Sequence, residues 1–122
     1  MTTTDTAPEA TFLAHLADGR LMLQRDPATG RAVFPPRLRA PSHGGGLGPF
    51  EPVTGLGTLH SVTLQPKRPP EPPRVIVLVD LDEGGRMLSH MPGVQDAAIG
   101  DRVSARIVTE GETPMVVFDP AP

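Results

Sequence analysis

The chain has 122 residues, enough for one domain with a buried core or a domain plus a small appendage, and it contains no cysteine, which excludes disulfides, thiolate metal sites and thiol catalysis. Its 16 prolines and 13 glycines sit between apolar alternating runs, where they read as turns rather than as disorder. The formal net charge of −3 conceals a split, with +5 over Arg20–Arg74, −5 over residues 75–122 and −3 over residues 1–19, so the first half offers a surface to anionic groups while the second opposes general nucleic-acid binding.

The N-terminal "MTTTDTAPEA" lacks the basic start and apolar run of a signal peptide, and residues 1–8 are expected to be disordered. No stretch approaches the roughly 18–20 apolar residues of a membrane span. A soluble, cytoplasmic protein without a membrane partner is the expectation.

Residues 8–18, "PEATFLAHLAD", place Phe12, Leu13 and Leu16 at helical spacing, and Asp18-Gly19 supplies a stop. The short apolar runs "RLMLQR" and "RAVFPP" follow, joined by a Pro27-Ala28-Thr29-Gly30 turn that predicts a β-hairpin. From Ala40 to Pro52 the pattern is glycine-rich and structureless, a flexible connector. This divides the chain into a helix-and-hairpin part over 9–46 and a second domain over 47–122.

In the second part, strands are predicted over 57–65, 74–83, 86–91, 101–110 and 114–119. The run "RVIVLVDLDE" at 74–83 is so continuously apolar that it reads as buried on both faces. Tight turns fall at Asp82–Gly85 and Glu110–Thr113, and "PGVQDAAIGD" (92–101) has room for one helical turn. The loop "PKRPPEPP" (66–73) predicts an extended polyproline II excursion. Five strands, a helical turn after the third and one long first loop make an OB-fold barrel, and the fold class is mainly β.

The order of "GRLMLQR", "FPPR", "GLGTLHSVTL", "VIVLVDLDEGGRMLSHM" and "IGDRVSARI" resembles the zinc-ribbon plus OB-fold proteins catalogued as a domain of unknown function. The resemblance covers about residues 10–120. It implies a rubredoxin-like ribbon before the barrel, and a role as a small partner subunit of acyl-CoA enzymes: thiolases, thiolase-like aldolases, acyltransferases and some enoyl-CoA hydratases. In the family one Cys-x-x-Cys-Gly follows Leu-Gln-Arg and a second follows Phe-Pro-Pro-Arg. The four ligand positions fall here on Asp26, Thr29, Ala40 and His43. Structural zinc needs four ligands, usually rich in cysteine, so the ribbon is expected to be degenerate and metal-free, held by packing of Leu21, Leu23, Val33 and Phe34.

No catalytic set stands out. Ser42-His43 and Ser89-His90 are adjacent on the chain and point apart on an extended backbone; His15 and His60 have no paired nucleophile. Asp80 and Asp82 share a strand face and could form a carboxylate pair, but a solvated strand end explains them as well. "HGGGLGPF" lacks the lysine and strand-to-helix context of a phosphate loop. With only Phe12, Phe34, Phe50 and Phe118 as aromatics, the stacking platforms of a single-strand binder are missing and no nucleic-acid partner is expected.

The residues singled out for binding are Phe34, Pro35, Pro36 and Arg37, a Phe/Pro surface suited to the pantetheine arm of a CoA thioester, with Arg25, Arg31 and Arg39 as an anion- or partner-facing cluster. The resulting reading is a non-catalytic accessory subunit in a hetero-oligomer with a thiolase-like or hydratase-like enzyme. No cofactor is expected to be bound tightly, beyond a CoA thioester shared with the partner. The alternatives are a free-standing module for a CoA thioester or nucleotide, and a small enzyme in its own right.

Overall fold

The computed structural model describes residues 8–41 and 43–122. The disorder expected at the N-terminus falls on residues 1–7, outside the described residues, and Pro8 already belongs to the helix. The order is α1 (Pro8–Ala17), β1 (Met22–Arg25), β2 (Ala32–Val33), β3 (Phe50–Pro52), β4 (Leu56–Gln65), β5 (Arg74–Leu81), β6 (Arg86–His90), β7 (Arg102–Glu110) and β8 (Thr113–Pro120). Helix α1 buries Phe12 and Leu16, the stripe its spacing predicts. It ends where Gly19, at φ 80°, donates its N–H to the Leu16 carbonyl, a left-handed cap that a side chain disfavours.

Two sheets carry the rest. The ribbon is a three-stranded sheet ordered β2-β1-β3, and the barrel is a five-stranded sheet ordered β6-β5-β4-β7-β8. All five barrel strands fall where the alternation predicts them. Strand β4 shifts register between Leu59 and Ser61, which bends it so that it pairs with β5 over most of its length and with β7 only at Leu56–Thr58. The sheet curls until its edges meet, and the Ser89 hydroxyl on β6 donates to the Val116 carbonyl on β8. Val75, Val77, Val79 and Leu81 point into the barrel with Leu59, Met87, Val103 and Phe118.

Four expectations need correction. First, β5 is buried on one face only. Its other face, which carries Ile76, Leu78 and Asp80, is partly exposed, because no second layer covers it. Second, the "connector" Ala40–Pro52 is built: Arg39 and Gly46 bridge, Ala40 N–H reaches the Gly45 carbonyl at 2.8 Å, and Phe50–Pro52 pairs with β1. Third, residues 92–101 form turns rather than a helical turn, the second closed by Ala98 N–H on Asp101 Oδ2. Fourth, the 66–73 loop is not a continuous polyproline helix, since Glu71 N–H turns back to the Arg68 carbonyl.

Ribbon, helix and barrel share one continuous core. Phe12, Leu16, Leu21 and Leu23 belong to the same buried cluster as the barrel valines. The β5–β6 hairpin locks the ribbon on: Ala32 N–H donates to the Glu83 carbonyl at 3.0 Å, and a Cβ on Gly84 would lie 2.9 Å from the Ala32 nitrogen. Gly84 at φ 115° thus answers both a backbone and a space requirement.

Candidate functional site: the ribbon face

The ribbon presents two turns side by side. In the first, Asp26 lies at the end of β1, its carbonyl accepts the N–H of Thr29 and Gly30, and its carboxylate accepts the N–H of Ala28 at 2.9 Å. Its side chain is buried, yet polar. In the second, Gly44 N–H closes on the buried Ala40 carbonyl, and Gly45 N–H donates to His43 Nδ1 at 3.1 Å. That bond leaves the ring proton on Nε2, which faces Asp26 at 3.0 Å from Oδ1 and 2.9 Å from Oδ2. Burial works to raise the Asp26 pKa, but the hydrogen bonds from His43 and Ala28 outweigh it and hold the carboxyl below its ordinary value.

Two of the four positions at which the resemblance places ligands are therefore joined directly. The other two offer little to a cation: Ala40 has no donor atom, and Thr29 Oγ1 already accepts the Arg31 N–H at 3.2 Å. No group of three or more His, Cys, Asp or Glu side chains able to hold a metal ion occurs among the described residues. This donor set does not fit tetrahedral zinc.

Beyond the first turn lies the Phe-Pro-Pro-Arg stretch. Phe34 packs edge-on against Phe12, with ring centroids 5.5 Å apart and planes at 60°. It borders an apolar groove of about 200 Å³ between α1, β6 and β8, which the exposed Leu88 also lines. Pro35 and Arg37 are exposed and Pro36 is half-buried. The Arg37 backbone is pinned by Gln24, whose side-chain amide donates to the Arg37 carbonyl at 2.7 Å and accepts its N–H at 2.8 Å. Gln24, buried in β1, was not among the residues the sequence singled out; a polar residue at a core-facing strand position was its only signal.

The arginine cluster is divided. Arg25 pairs with Glu51 at 3.1 Å and Arg39 caps the Gly44 carbonyl, so neither guanidinium is held open. Arg31 is exposed beside the hairpin turn, and Arg37 has no ion-pair partner among the described residues. The carboxylates on the barrel are spent separately. Asp80 meets Arg86 at 2.6 Å and Asp82 meets Arg102 at 2.7 Å; the hydrogen bond from its arginine lowers each carboxyl pKa against the raising effect of burial. They form no acid/base dyad. Ser89 is consumed by the barrel seam, while His90 lies on the edge strand. Phe118 is fully buried in the barrel and cannot stack on a base.

Fold and site together define a two-part protein: a small ribbon whose two turns converge on one point, docked by its core and one hairpin onto an OB barrel. Comparison with known families agrees at both ends. Residues 13–40 match the "ChsH2, rubredoxin-like zinc ribbon domain" and residues 50–108 the "ChsH2, C-terminal OB-fold domain", which together take up more than half of the chain. The chain belongs to this ChsH2-type zinc-ribbon and OB-fold family, with the zinc ligands of the ribbon lost.

Among solved structures, one described as "Ltp2-ChsH2(DUF35) aldolase" is 27% identical, superposes with a TM-score of 0.77, and the match covers 94% of this chain and 95% of that one. A protein of unknown function from the DUF35 family of Sulfolobus solfataricus, 15% identical over 90% of this chain and 84% of its own, has a TM-score of 0.66 and shares the fold. No curated protein matches. Among the described residues no helix is long and apolar enough to cross a membrane.

Proposed function

We propose that this chain is a non-catalytic accessory subunit of an acyl-CoA-processing enzyme of the thiolase-like class, an aldolase, thiolase or acyltransferase. The observation that carries this reading is the match over nearly the whole of both chains to one in a structure described as an Ltp2-ChsH2 aldolase. A second observation supports it: Asp26 and His43 bond each other, Asp80 and Asp82 pair with Arg86 and Arg102, and the Ser89 hydroxyl donates across the barrel seam.

In this role the ribbon face meets the partner. Phe34 and Leu88 line an apolar groove, and Arg37, exposed on a backbone that Gln24 holds, lines a second cavity with Gln24, Leu38 and Phe50. Such a surface suits the wall of a channel for a CoA thioester, with the arginine toward phosphate and the Phe/Pro surface along the pantetheine arm. The partner supplies the reacting groups; this chain stabilises it.

Native purification with mass-spectrometric identification of what accompanies the chain tests the reading. A stable hetero-oligomer with a thiolase-like or aldolase subunit is expected. A chain that runs alone and binds no such enzyme on co-expression sinks it. Calorimetry of the isolated chain with a CoA thioester separates the subunit from a free-standing module, which must bind the thioester unaided.

A further inference from the structure

The ribbon sheet is too slight to hold its own turns. Its strands have four, two and three residues, and β1 and β2 share only two register pairs. In a zinc ribbon the metal ties two such turns together, and here the donor set cannot. Something else must, because Ala40 and Asp26 are both buried and the turns that carry them are in contact.

We propose that the Asp26–His43 pair replaces the metal as the bond between the two turns, so that the ribbon is assembled and held without zinc. Three features mark the pair as built rather than incidental. Both carboxylate oxygens lie within hydrogen-bond distance of the same ring nitrogen, and Oδ1 also takes the Ala28 N–H, which fixes the carboxylate from the first turn. The other ring nitrogen is held by the Gly45 N–H, which fixes the imidazole from the second. The ring also lies so close over Gly45 that a Cβ there would stand 2.8 Å from both Cε1 and Nδ1. Gly45 is outside the left-handed region, so its lack of a side chain answers the ring and not the backbone. A chain of hydrogen bonds thus runs from Gly45 through His43 to Asp26 and Ala28, across the gap a metal spans in the relatives.

The test uses the full-length chain. Metal analysis after purification with and without chelator should find well under one zinc per chain, and neither excess chelator nor equimolar zinc should move Tm by more than about 1 °C. Tightly held stoichiometric zinc, with a lower Tm after its removal, overturns the proposal. Asp26→Ala, His43→Ala and the double variant should each lower Tm by a similar amount, several degrees, because either single change already breaks the bond. Effects that simply add overturn it.

Should those variants fail to fold, Gly45→Ala and His43→Gln remain. Gly45→Ala should lower Tm in the natural chain and do almost nothing beside His43→Gln, whose flexible amide can move aside while still donating to Asp26. An equal loss in both backgrounds shows that the ring contact is not what Gly45 serves. Amide exchange at Ala28 and Gly45 should accelerate more than at the barrel amides, which places the loss in the turns. Equal acceleration everywhere contradicts it.

Discussion

Gln24 and Arg37 are bound as if they were neighbouring strands. The Gln24 amide donates to the Arg37 carbonyl at 2.7 Å and accepts the Arg37 N–H at 2.8 Å, thirteen residues away along the chain. One buried side chain therefore satisfies both backbone groups of the residue that leads the exposed Arg37–Leu38 tip, and rigidity at that tip follows from it.

Gln24→Leu should leave those two backbone groups without their partner and cost about 1–3 kcal/mol. Urea unfolding measures the loss, and amide exchange at Arg37 locates it. Unchanged exchange there would show that water replaces the amide at no cost.

Gly84→Ala tests the joint between barrel and ribbon. The added methyl would meet the Ala32 nitrogen and the Arg31 Cβ at 2.9 Å, on a backbone at φ 115°. A destabilisation of about 1–3 kcal/mol is expected. Exchange should rise first in β2 and the turn at 82–85, read by hydrogen–deuterium exchange with mass spectrometry.

Phe118 is fully buried at the centre of the core. Phe118→Ala should cost about 3–5 kcal/mol, a large share of the 5–15 kcal/mol typical of domains this size. Helix α1 and the ribbon share that core, so a single cooperative transition is expected; a separate ribbon transition would contradict the shared cluster.

His90 sets an acid-side dependence. Burial first, then the nearby positive charge of Arg74, lower its pKa from 6.5; Glu110 works the other way, and Lys67 adds the smallest lowering effect. Below pH 6.5 the unfolded chain then binds a proton that the folded chain refuses, so this contribution to stability is whole above that pH and declines as pH falls toward the lowered value. The urea midpoint should drop between pH 7.5 and pH 5.5, and His90→Gln should flatten that drop. An identical slope in the variant assigns the dependence elsewhere.

Arg37→Glu bears on the proposed role. With no ion pair to lose among the described residues, the isolated chain should keep its Tm within about 1 °C. Association with the enzyme partner should slow, and its salt dependence should weaken. Unaltered association kinetics would move the contact away from this residue.

The barrel was legible because its signal is local. Alternating apolar residues from Leu59 to Phe118, punctuated by Asp82–Gly85 and Glu110–Thr113, fix strand positions whatever surrounds them, and the same holds for Phe12 and Leu16 on α1. Where burial depends on a neighbouring layer, local reading failed: the outer face of β5 looked covered and is not, and Phe50–Pro52 looked like linker until β1 offered it a partner.

The same division runs through the site. The absence of cysteine, the Phe-Pro-Pro-Arg stretch and the residues at the four positions where the resemblance places ligands were all present in the order of residues, and they alone exclude a thiolate site. What they could not determine is that Asp26 and His43, seventeen residues apart, meet across two turns, or that Arg25 is neutralised by Glu51 while Arg37 is not. A pairwise contact depends on the path of the chain between its members, and that path is set by the whole core: Leu21 and Leu23 anchoring β1, Glu83 holding β2, and the barrel beneath them.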